Sequence, residues 1–126
     1  MYFRIKVSNL PGISGITTFL LDEDNFANAA YKVIEQIGTT ADIEEIKWMK
    51  NFKPAINEQF DPANKLYVVK IAEDMDIEGK IKTVKYELPV FANDSNELNK
   101  IVNDYIAQGL NGMRLTTISE TKWVWL

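Results

Sequence analysis

Residues 2–7, Tyr-Phe-Arg-Ile-Lys-Val, alternate apolar and basic positions, the period of a half-buried strand. Residues 66–71, Leu-Tyr-Val-Val-Lys-Ile, form a second β-type run with lysine at the same fifth place. Each is followed by turn residues and another β-type run: Ile16 to Leu21, then Lys80 to Leu88. The first turn carries Pro11, Gly12 and Gly15; the second carries Asp74, Asp76 and Gly79. Both read as hairpins. The spacing then changes to a helical period. Apolar residues fall at Phe26, Ala29, Ala30, Val33, Ile34 and Ile37, and again at Leu98, Ile101, Val102, Tyr105 and Ile106. Asp22 or Asp24 suits the first helix start; Asp94 with Glu97 suits a capping box at the second. Gly38 and Gly109 mark the stops. A third β-type run closes each half, with Ile43 and Ile46 answered by Leu115 and Ile118.

These coincidences predict an internal repeat. The first strands are offset by 64 residues, and helices and third strands by 72. The expected fold is α+β: two tandem ββαβ repeats in one domain, residues 1–126, with about six mostly antiparallel strands and two helices packed on one face. Repeat one spans about 2–50 and repeat two about 65–126. Asn51–Asn64 is the expected linker, marked by Pro54 and Pro62.

Composition narrows the chemistry. The 126 residues include no cysteine and no histidine. That excludes a Cys/His zinc site, a Ser-His-Asp triad and a Cys-His pair. No ordinary side-chain pKa then lies near neutrality, so acid–base catalysis would need a strongly shifted carboxylate or lysine. The expectation is therefore a protein that is not an enzyme and holds no cofactor or metal. Acidic runs at Leu21–Asn25, Asp42–Glu45 and Glu73–Glu78 lack calcium-loop spacing, and read as caps and solvated turns. The Leu10–Gly15 turn lacks a phosphate-loop pattern. A carboxylate enzyme using a divalent metal ranks third among the functional readings. No apolar run is long enough to span a bilayer, and the N-terminal segment alternates rather than forming a secretory signal, so the expected setting is cytoplasmic.

Net charge is −4, but unevenly distributed. Residues 21–46 carry seven acids and one base; residues 47–70 carry five lysines against Glu58 and Asp61. Aromatics interleave with those bases. Lys47, Trp48, Lys50 and Phe52 form one such cluster, and Lys122, Trp123 and Trp125 another, expected on equivalent third strands. Aromatic anchors beside lysines point to a protein partner or a homo-oligomer. The alternative is single-stranded nucleic acid held by stacking beside positive charge. Nothing indicates a membrane partner.

The whole-chain pattern also resembles an uncharacterised family found in Bacteroidetes, their mobile elements and phages, including gut crAss-like phages. The resemblance rests on the aromatic-rich strand Tyr2–Val7, the helix Asn25–Ile37, the strands Ile43–Lys50 and Leu66–Ile71, and the second helix and strand. It implies a phage or mobile-element setting, in the host cytoplasm if phage-encoded. It implies no activity and no catalytic residues.

Overall fold

Alternation along the first strand sorts its side chains onto two faces. The computed structural model describes residues 1–38, 41–58, 61, 63–109 and 112–126. In β1 (Tyr2–Ser8), Phe3, Ile5 and Val7 are fully buried on one face, while Arg4 and Lys6 lie on the other. β2 (Thr17–Asp22) and β3 (Asp42–Trp48) pair antiparallel with its two edges. Between them in sequence runs α1 (Phe26–Ile37). Its cap is Asn25, which accepts the Asn28 N–H; Asp22 instead accepts from the N-terminal ammonium at 2.8 Å. The first core joins Phe3, Ile5, Val7, Phe19 and Leu21 to Ala29 and Val33. The rest of the helix's apolar stripe is wider than its line of contact with the sheet, so Phe26 and Ile34 stay 48% and 39% exposed.

β4 (Lys65–Ile77), β5 (Lys80–Ala92), α2 (Ser95–Gln108) and β6 (Met113–Glu120) follow in the same element order. Asp94 caps α2 by accepting the Glu97 N–H at 2.9 Å, and the Glu97 carboxylate reaches back to the Asn93 N–H. The β4–β5 turn is tighter than its acidic residues suggested. Asp74 and Asp76 sit in the ladder opposite Thr83 and Ile81, and only Glu78 and Gly79 turn. Both have positive φ, 53° and 79°, as a type I′ hairpin turn requires.

Registers agree between the halves. Phe3, Arg4, Ile5, Lys6, Val7 and Ser8 face Trp48, Lys47, Ile46, Glu45, Ile43 and Asp42. Adding 64 to the first strand and 72 to the third reproduces the pairs from Tyr67–Glu120 to Ala72–Arg114. Both ladders shift at the same step, Lys6/Val7 and Lys70/Ile71, so Glu44 and Thr116 are the extra residues of matching bulges. Second strands correspond at 69, because Leu21 and Val90 face Phe3 and Tyr67. The helices follow 69 too: caps Asn25 and Asp94 correspond, as do the buried pairs Ala29/Leu98 and Val33/Val102. This corrects the 72 inferred for the helices. Three residues is nearly one helical turn, so an apolar stripe repeats almost as well at either shift.

Two further expectations are corrected. Among the described residues there are seven named strands in two sheets, ordered β3-β1-β2-β7 and β5-β4-β6. β7 (Val124–Trp125) runs parallel to β2, so Trp123 and Trp125 are not on the third strand of the second half. β6 ends where Thr121 binds the Leu66 carbonyl through both its N–H and its hydroxyl. One compact unit comprises Met1–Lys50 with Lys122–Leu126; the other comprises Asn51–Thr121. The start of the expected linker is thus structured within the second unit. Phe52 bridges Glu87 in parallel, and the Asn57 amide binds both the N–H and the carbonyl of Phe91. Pro62 lies outside the described residues.

Candidate functional site

Cross-strand partners share a sheet face, so the β1–β3 register decides where the β3 side chains point. Trp48 lies opposite Phe3, on the face covered by α1. Phe3 is buried and meets Phe26 edge-on, with centroids 4.9 Å apart. Trp48 and Phe26, 38% and 48% exposed, are therefore the outer neighbours of one buried ring. Lys50 Nζ lies 5.5 Å from the Trp48 ring centre, within cation–π range. Tyr31 and Ile34 add exposed apolar surface to the same helix.

Trp123 and Trp125 occupy the opposite face. The Arg4 guanidinium sits 5.8 Å from the Trp123 ring, and Tyr2 meets Trp125 at 5.9 Å. Lys47 faces Arg4 and belongs to this side, with Lys122 in the connection leading to β7. Arg4 also pairs with Glu45 at 3.0 Å; that hydrogen bond, with Lys6 nearby, holds the Glu45 carboxyl below its ordinary range. The predicted residues thus form two groups on opposite faces of the first sheet. Phe52 belongs to neither, being half-buried against β5 in the second unit.

The acidic runs are engaged locally. Asn9 donates to Asp42, and the Ser8 hydroxyl donates to Glu44. Asp74 accepts from Thr83 at 2.8 Å and pairs with Arg114 at 3.2 Å; both hydrogen bonds, that from Thr83 foremost, lower its pKa. Among the described residues, no three acidic side chains converge in a metal-binding arrangement.

A polar cluster in the second unit was not anticipated. Tyr86 is buried, its hydroxyl 3.3 Å from that of Tyr105 and 3.4 Å from Glu73. Burial, then the Tyr105 contact, pushes its ionisation above the ordinary tyrosine range. Lys53 Nζ lies 4.1 Å from the Tyr86 ring centre. Tyr86 thus brings a hydrogen-bonding phenol into the second core. No described helix is long and apolar enough to cross a membrane.

Comparisons with known protein families, curated proteins and solved structures found no match. The functional reading therefore rests on the chain's own surface.

Proposed function

We propose that this chain is a non-enzymatic binding protein that acts through protein contact or self-association, using the α1–Trp48 surface of its first unit. One comparison within the molecule carries the reading. At the shifts of 69 and 72, Phe26, Tyr31, Ile34 and Trp48 correspond to Ser95, Lys100, Asn103 and Glu120. All eight positions are exposed. The second unit has polar residues at each; the first has three aromatics and an isoleucine. Exposed aromatics supply much of the contact energy where proteins meet. Lys50 keeps a cation beside the Trp48 ring, where it would orient an incoming partner.

The matched registers and bulges support a finer proposal, that the two ββαβ units descend from one duplicated unit. Divergence at four surface positions then separates a contact-making copy from a supporting one. The phage or mobile-element setting, with action in the host cytoplasm, rests on the whole-chain resemblance.

Single-stranded nucleic acid is the second reading. Arg4, Lys6 and Lys47 share a face with Trp123 and Trp125, which favours it. Against it, the Trp125 ring is packed on Tyr2 and Arg4 is paired with Glu45. Anisotropy with labelled oligonucleotides at low salt separates the readings. No binding is expected; binding steeply lost with salt would favour the nucleic-acid reading.

The test of the protein-contact reading gives the first unit the second unit's residues: Phe26→Ser, Tyr31→Lys, Ile34→Asn and Trp48→Glu together. Tagged wild-type and variant chains are compared for capture of untagged copies and of host-lysate proteins. Capture that disappears in the variant supports the reading. An identical captured set overturns it.

A further inference from the structure

A separate surface, the outer edge of β2, carries an inference independent of the α1–Trp48 reading. β7 lies parallel on this edge, with Phe19 opposite Val124 and Leu20 opposite Trp125. The Leu126 N–H donates to the Leu20 carbonyl, Leu126 packs on the first core, and Trp125 meets Tyr2. The short strand thus sends side chains to both faces of its acceptor. The corresponding edge of β5 is occupied in the same sense. Asn51 accepts from the Glu87 N–H, Lys53 donates to the Glu87 carbonyl, and Phe52 bridges Glu87 in parallel.

The origins of these segments are crossed. Asn51–Lys53 follow the third strand of the first unit yet fill the edge of the second. Lys122–Leu126 follow the third strand of the second unit yet fill the edge of the first. In each unit the second strand is closed by a segment that, in sequence, follows the other unit's third strand. Such reciprocal closure is what two separate ββαβ chains would show after exchanging tails. Two features make the C-terminal tail exchangeable. Its β-strand is only two residues long. Its hinge is short, because Thr121 remains tied to Leu66 and only Lys122 and Trp123 lie between it and β7. Short hinges favour exchange between molecules.

We infer that the β2 edge is a strand-acceptor site whose occupant in trans is residues 122–126 of a second copy of this chain, giving a strand-exchanged dimer. Recognition is by main-chain pairing along β2, read by Tyr2 and the first core through Trp125 and Leu126.

Full-length protein refolded from denaturant at high and at low concentration, then compared by size exclusion with light scattering at one final concentration, tests this. A several-fold higher dimer fraction is expected after refolding at high concentration. Excess synthetic peptide of residues 121–126 during refolding should suppress it. Deleting Lys122 should raise the dimer fraction further, and inserting Gly-Ser-Gly-Ser after Lys122 should lower it. If the deletion variant does not fold, the wild-type chain with and without peptide still decides. Absence of any dimer from the wild type, or a dimer indifferent to the peptide, overturns the proposal. Trp48→Glu should leave this dimer intact; a dimer lost with Trp48→Glu but indifferent to the peptide belongs to the α1–Trp48 surface instead.

Discussion

Trp48 and Trp125 are both tryptophans near the end of a strand, yet their surroundings differ. Trp48 is partly open to solvent with Lys50 beside it; Trp125 lies against buried Tyr2. Trp48→Ala should lower stability by no more than about 1 kcal/mol, as expected for an exposed side chain. It should cost about 2 kcal/mol or more in partner affinity if it anchors the contact. Chemical unfolding and titration calorimetry separate the two. Titration adds a second residue-scale prediction. Glu45 and Asp74 have lowered pKa values, so their stabilisation is present above the ordinary values of 4.5 and 3.8 and is lost as pH falls through the folded values. Glu45 is exposed and Asp74 partly so, so the acid loss should be small and salt-sensitive. Tyr86 is raised from 10.0, so its contribution is present below that value and fades as pH rises past it. Urea midpoints against pH should show that alkaline loss, and Tyr86→Phe should flatten it. With no histidine or cysteine, no ordinary side-chain pKa bends the profile between about pH 5.5 and 8.

At the scale of the element, the bulge in β3 explains a spacing that a regular strand would not allow. Ile43 and Ile46 are three apart, so uninterrupted alternation would put them on opposite faces. Glu44 absorbs the difference, and both isoleucines pack on the first core. Deleting Glu44 would leave Ile43 and Ile46 two apart, as a regular strand requires for one face, so both should stay on the core and the denaturation midpoint should shift by no more than about 1 kcal/mol. At the helix starts, Asn25→Ala and Asp94→Ala should each cost about 1 kcal/mol, since each removes a side-chain acceptor for a first-turn N–H. Element order was legible in the sequence because period-two and helical patterns alternate cleanly along it. The alignment of the helices was not, because a slip of three residues hardly changes an apolar stripe. Nor was the cap of α1. Asp22, Asp24 and Asn25 are all competent acceptors, and the N-terminal ammonium engages Asp22.

For the whole molecule, the least legible feature was the crossed path of the two tails. A two-residue strand has no period to detect, and its partner β2 lies about a hundred positions earlier in the chain. The candidate residues were visible as aromatic and lysine clusters. Their grouping was not, because the face of each side chain depends on a register that includes a bulge. The four positions that distinguish the units became comparable only once both shifts were known. Their difference is the basis for proposing the first unit as the contact-making one. The direct measurement is capture by the full-length chain, with and without Phe26→Ser, Tyr31→Lys, Ile34→Asn and Trp48→Glu, circular dichroism confirming that both fold. Loss of the captured protein, or of captured second copies, is the predicted result; the same set captured at the same level by both chains contradicts it.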